Sequence, residues 1–170
     1  MTGKRDQGFT LIELLIVVAI ISIIAAIAVP GLLRARMSGN ETSALASLKV
    51  VNSSEVAYSA SCGNNGYAVS FVVLATPSPT MGFISADLGV LAPVKSGYNF
   101  ALAAGAGSAA GPADCNTVVT QTAYYASAVP SGYGTTGSKS YATNAGNTVY
   151  QVWLATAPTE PFGLPAIPIG

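Results

Sequence analysis

The side chains able to do chemistry in this 170-residue sequence are few: seven acids, seven bases, two cysteines and no histidine. Without histidine, the usual general base near neutral pH and the commonest metal ligand are both missing. After Glu55 the only acids are Asp87, Asp114 and Glu160, far apart in sequence, so no carboxylate pair stands ready for acid–base catalysis. Calcium generally takes six to eight oxygens with several carboxylates, and the C-terminal region offers only Glu160 and carbonyls. Two cysteines cannot build a four-thiolate zinc site. Gly132-Tyr133-Gly134-Thr135-Thr136-Gly137 fits the G-x-G-x-x-G phosphate-loop pattern, which carries meaning only between a strand and a helix. Here Ser138-Lys139-Ser140-Tyr141-Ala142 follows, with no helical period, so the motif reads as a loop between strands. Zero net charge gives no electrostatic footing for nucleic acid. The expectation is a protein that is not an enzyme, with no cofactor and no metal.

One acid is oddly placed. From Phe9 to Val29 only Thr10, Glu13 and Ser22 are not apolar, and Leu14 to Leu33 are twenty uncharged residues. At about 1.5 Å per residue a helix of that length spans about 30 Å, the hydrocarbon thickness of a bilayer. Lys4 and Arg5 precede it, and the positive-inside rule places the N-terminus in the cytoplasm. A secretory signal cut after Ala26-Ile27-Ala28 would explain the apolar run, but Pro30 lies two residues beyond that site and the run is too long. An ordinary signal anchor explains length and orientation and leaves Glu13 without a purpose.

The leader Lys4-Arg5-Asp6-Gln7-Gly8, then Phe9-Thr10-Leu11-Ile12-Glu13-Leu14 and an apolar run to Pro30, strongly resembles the class III signal of type IV prepilins with a short, type IVa-like leader. The resemblance implies cleavage by prepilin peptidase between Gly8 and Phe9, and N-methylation of Phe9. It places Glu13 fifth and Pro30 twenty-second in the mature chain, as type IV pilins have them. A buried carboxylate is tolerable only when paired, and the terminal amine of a stacked neighbour would pair it and set axial register. The alternative is a Glu13 at headgroup depth that bonds Thr10 or water. Pro30 removes a helical hydrogen bond and Gly31 loosens the next turn. The resemblance implies local melting there on assembly; a kink or a helix boundary at the membrane surface fits equally.

The elements that position these residues follow from periodicity. Residues 34–62 read as a continuation of the helix: Ala44, Leu48, Val51 and Tyr58 recur near 3.6, with Asn40, Glu41, Lys49, Asn52 and Glu55 mostly on other faces. Gly39-Asn40 is a weak point, and Cys62 to Gly66 a stop. Residues 67–94 read as a short helix or irregular loop that includes Thr76 to Thr80. Tyr98, Phe100 and Leu102 alternate as a strand, Ala103 to Asp114 reads as a loop, and Val118 to Val129 is β-prone. Ser140 to Thr143 and Thr148 to Thr156 flank a turn at Asn144 to Asn147, and Pro158 to Gly170 reads as an extended tail. The fold class is α+β: a long N-terminal helix, membrane-spanning then amphipathic, packed on an antiparallel sheet of about four strands, as the pilin resemblance also implies. The expected organisation is leader 1–8, membrane and filament-core helix 9–33, amphipathic helix 34–62, and head 63–170.

Cys62 and Cys115 lie outside the cytoplasm in this arrangement, where oxidation is expected. A bridge between them would tie the helix end to the loop before a strand; two buried thiols are the alternative. The head carries little charge: only Asp87, Lys95, Asp114, Lys139 and Glu160 follow Val56. Such a surface packs on neighbouring subunits, or carries O-glycosylation on Ser/Thr-rich loops or adhesive tyrosines such as Tyr124, Tyr125, Tyr133 and Tyr141, or is simply neutral.

The implied function is a structural subunit of an extracellular type IV pilus-like filament, a homo-oligomer held in the inner membrane before assembly. The resemblance adds an assembly platform with its ATPase, and an outer-membrane pore, as partners. A pseudopilin of type II secretion, a minor pilin, or a monomeric membrane-anchored ligand-binding domain are the other readings.

Overall fold

A computed structural model describes residues 9–76 and 81–169. The leader, Gly8 of the expected cleavage site and the Pro77–Thr80 stretch lie outside these described residues. The chain divides after Arg36 into two compact units.

Helix α1 runs from Leu11 to Ser61 with Pro30 inside it. Its start has a local cause. Thr10 is the N-cap: its hydroxyl accepts from the Glu13 amide at 3.3 Å, and the Glu13 carboxylate accepts from the Thr10 amide at 2.9 Å. This reciprocal capping box satisfies two donors that the first turn would leave orphaned. The expected weak point at Gly39-Asn40 does not interrupt the helix. Pro30 does not end it either, so neither a boundary at Pro30 nor a break at Gly39 is observed. The stop at Cys62 is as expected. Gly63 donates to Tyr58 and Asn65 to Ser59, and Asn64 and Asn65 adopt the left-handed backbone that closes a helix.

In the second unit α1 lies against an antiparallel sheet. The strands are β1 (Val94–Lys95), β2 (Tyr98–Ala104), β3 (Ala110–Ala113), β4 (Val119–Gln121), β5 (Tyr124–Pro130), β6 (Ser140–Asn144), β7 (Val149–Val152) and β8 (Ile167–Ile169). The main sheet has the order β1-β2-β5-β6-β7-β8, with β3 and β4 a separate ribbon between β2 and β5. A short helix α2 (Phe71–Ala75), capped by Ser70, fills the connection from α1. The core joins Ala44, Leu48, Val51 and Tyr58 of α1 to Phe71 and Leu74 of α2 and to sheet residues such as Tyr98, Phe100 and Tyr124.

The strand count differs from expectation for two physical reasons. The small-residue segment 103–114 is not all loop: β2 continues to Ala104, and Ala110–Ala113 pairs with β4 despite its Gly and Pro. The proline-rich tail also pairs. Ile167–Ile169 adds to β7 as the edge strand, where Pro168 needs no ladder partner on its outer side. The turn at Asn144–Asn147 is as read, with Asn147 left-handed and its amide bonded to the Asn144 carbonyl.

Cys62 and Cys115 are bridged, with Cα atoms 4.9 Å apart. The bridge closes 53 residues of sequence, worth about 4 kcal/mol in the chain-entropy account. We therefore predict that C62S/C115S lowers the urea-unfolding free energy of the detergent-solubilised chain by about 2–4 kcal/mol. An unchanged midpoint and slope would contradict this.

Candidate functional site

Every residue from Phe9 to Arg36 is exposed. Among them are large apolar side chains around the whole circumference, from Leu11 (81% exposed) to Ile27 (77%) and Leu32 (71%). This is a helix without an amphipathic face, apolar all round, and water is not its stable environment. It is the one described helix long and apolar enough to cross a membrane. Ser22, the only hydroxyl inside the run, returns its proton to the Val18 carbonyl at 2.7 Å, so it exposes no unsatisfied donor. At Gly31 a Cβ would meet nothing within 4 Å, and so the glycine serves backbone freedom rather than fit.

Glu13 sits one turn inside the helix start. Its Oε2 takes both Thr10 donors, the amide at 2.9 Å and the hydroxyl at 2.5 Å, and no donor among the described residues reaches Oε1. Phe9 stands at the open end of the same turn, 79% exposed. The structure thus brings Phe9, Thr10 and Glu13 together, and places Pro30 17 residues beyond Glu13 on the same helix, with Gly31 next to it. At about 1.5 Å per residue that separation is about 26 Å.

Cys62 and Cys115 belong to a different cluster, at the far end of α1. Tyr58 donates to Asp114 Oδ2 at 2.7 Å, and Asp114 Oδ1 accepts from the Asn116 and Val118 amides at 2.8 and 2.7 Å. The Cys115 amide donates to the Cys62 carbonyl at 2.9 Å. Burial and the Asp114 carboxylate push the Tyr58 phenol above its ordinary range. These bonds dock the β3–β4 ribbon on the helix end and hold no open site.

Two helix residues expected on outer faces are buried instead. Asn52 accepts through Oδ1 from Tyr124 and Thr143, both at 3.0 Å, and donates to the Asn147 carbonyl at 3.1 Å. Glu55 is wholly buried; Oε2 accepts from the Ala68 amide at 3.0 Å, while Oε1 has no partner. Its position was legible: 44, 48, 51, 55 and 58 form one run of alternating fours and threes, the period of a packed helix face. Burial pushes the Glu55 carboxyl up to about 8, against a smaller opposing pull from the Ala68 amide.

A carboxyl raised in the native state binds its proton where the unfolded chain has already released it. Stability should therefore be greatest below about pH 4.5 for this group and decline as pH rises to about 8, by on the order of 5 kcal/mol. We predict that E55Q removes this slope from urea titrations run between pH 5 and pH 8.5, whatever it does to absolute stability. An unchanged slope would show that Glu55 is ionised in the native head.

The Prokaryotic N-terminal methylation motif profile matches residues 3–29. Two curated relatives match the same end of the chain. The type IV wide pilus major component PilA4 of Thermus thermophilus is 59% identical over 39 residues, 23% of this chain and 30% of its own length. The type IV major pilin protein PilA of Myxococcus xanthus is 43% identical over 56 residues, 33% of this chain and 26% of its own. The chain thus matches less than a third of either relative's length, and no solved structure matches it. The chain thus carries that motif at the start of a long apolar helix, resembles two type IV pilins over that end alone, and packs the later part of the helix on an antiparallel sheet.

Proposed function

We propose that this chain is the structural subunit of a type IV pilus-like filament. Prepilin peptidase cuts it between Gly8 and Phe9, Phe9 is N-methylated, and the helix then passes from the inner membrane into a bundle of like helices. The observation that carries this reading is the fully exposed apolar surface of residues 9–33, joined to a head with its own core. That surface must be covered by lipid or by protein. Copies of itself offer the matching chemistry: Oε1 of Glu13 is open, and a mature α-amine four residues earlier in the neighbouring chain is the cation to fill it. Such a pair in low dielectric is stable only with both partners present, and so favours one axial register. Before assembly the N-terminus faces the cytoplasm and the head faces outward, as the Lys4-Arg5 leader directs. The platform, its ATPase and the outer-membrane pore are the partners such a subunit requires.

Pro30 and Gly31 supply the place where the helix can lengthen as it leaves the bilayer. The cost of breaking hydrogen bonds there is lowest, since proline has already removed one.

Glu13 has two roles in this scheme, and two substitutions separate them. E13Q keeps an oxygen for the Thr10 amide and removes the charge; E13A removes both, with a capping loss of about 1 kcal/mol. We predict that both proteins reach the membrane, and that both yield at most about a tenth of the filaments seen by electron microscopy, the factor expected from about 1.4 kcal/mol or more per subunit contact. Normal filament yield from E13Q would end the charge-pair role. Normal membrane levels with no filaments even from the unaltered chain would favour a membrane-anchored binding domain.

A further inference from the structure

The glycine-rich motif 132–137 joins β5 to β6 and not a strand to a helix, yet it is held by specific bonds. Thr135 and Thr136 hydroxyls donate back to the Gly132 carbonyl at 2.9 and 3.1 Å, which shapes the loop internally. A Cβ at Gly137 would stand 2.0 Å from the Tyr98 hydroxyl, so only glycine fits, and that hydroxyl donates to the Lys139 carbonyl at 2.9 Å. The loop is therefore fixed to β2 independently of the helix.

What it presents to α1 is polar and directed. The Asn40 amide donates to the Thr136 carbonyl at 3.0 Å. Glu41 Oε1 accepts from both the amide and the hydroxyl of Ser138, each at 2.8 Å. Glu41 Oε2 lies 3.8 Å from the Lys139 ammonium, which itself rests over the Trp153 ring. Two of these bonds are charge-assisted and partly buried, the stronger kind.

Their position along the helix is the informative point. No residue from Phe9 to Arg36 is buried, and Pro30, Gly31, Ser38 and Gly39 are all poor helix formers. Continuous burial begins only at Ala44, Ser47 and Leu48. Asn40 and Glu41 make the first polar tertiary bonds met on moving up the helix within the second unit.

We propose that the 132–139 loop, Asn40 and Glu41 form a clasp that halts helix unwinding, so that turns below Gly39 can open while those above stay helical. The use of such a stop rests on the filament reading, in which the helix is drawn out from near Pro30. The clasp itself is a property of one chain. It gives the motif a mechanical role: a collar that keeps extension of the lower helix from peeling α1 off the sheet.

Amide hydrogen exchange read by mass spectrometry on the full chain in detergent micelles tests this without filaments. The unaltered chain should show a step in protection, fast at residues 34–39 and slow from 42 onward. In N40A/E41A, exchange at residues 41–47 should rise about tenfold to a hundredfold, the cost of charge-assisted bonds, while residues 51–58 keep their rates. E41Q, which retains the Ser138 bonds and loses only the ion pair, should fall between the two. Unchanged rates at 41–47 in the double variant would overturn the clasp. A uniform acceleration across α1 and the sheet would also overturn it, because the bonds would then serve only global stability. Either result leaves the filament proposal standing, and a chain that never polymerises leaves the clasp standing.

Discussion

An apolar cylinder with no polar face is the constraint from which the rest follows. Residues 9–33 are all exposed, and at about 25 cal/mol per Å² each large side chain left in water costs about 1.5–3 kcal/mol. The same surface is stable in two settings only, lipid and a bundle of similar helices. Transfer between them exchanges one apolar neighbour for another, so apolar burial contributes little to the choice. Packing and the few polar groups decide it, as they do between helices in membranes. That places unusual weight on Thr10, Glu13 and Ser22.

The head answers a different requirement. It forms a compact unit of its own with very few charges, and nearly all of them are paired within it. Lys95 pairs with Asp87 at 2.7 Å, Lys139 with Glu41, Asp114 with Tyr58, and both oxygens of Glu160 accept from Ala106 and Asn144. The Lys95 ammonium beside Asp87 holds that carboxyl down at about 2, although the pair is too exposed to add much stability. Among the described charged residues of the second unit, Lys49, on α1, is the one with no ion pair or side-chain hydrogen bond. A surface so nearly self-neutralised meets another copy of itself with little repulsion and little salt dependence.

Much of this was legible beforehand, and what was not has identifiable causes. The N-terminal segment was readable because length, charge position and proline spacing are one-dimensional quantities. Ala44, Leu48, Val51 and Tyr58 were readable for the same reason. Glu55 was misplaced because residue type outweighed period: an acid looks like a solvent-facing residue, yet it completes the packed face. Strand β8 was hidden by prolines that an edge tolerates, and Ala110–Ala113 by glycine and alanine, whose pairing is decided by the partner strand β4 and not by their own propensity. The fastening of the Gly132–Gly137 loop to Asn40 and Glu41 spans nearly a hundred residues, which no local pattern reports.

The most direct measurement is an electron cryomicroscopy reconstruction of the material that cells expressing this chain export. The account predicts a filament whose axis is filled by the helices of residues 9–36, starting at Phe9, with each Glu13 carboxylate in contact with the terminal amine of an adjacent subunit. Filaments with these helices splayed outward, or with the chain still beginning at Met1, would contradict it.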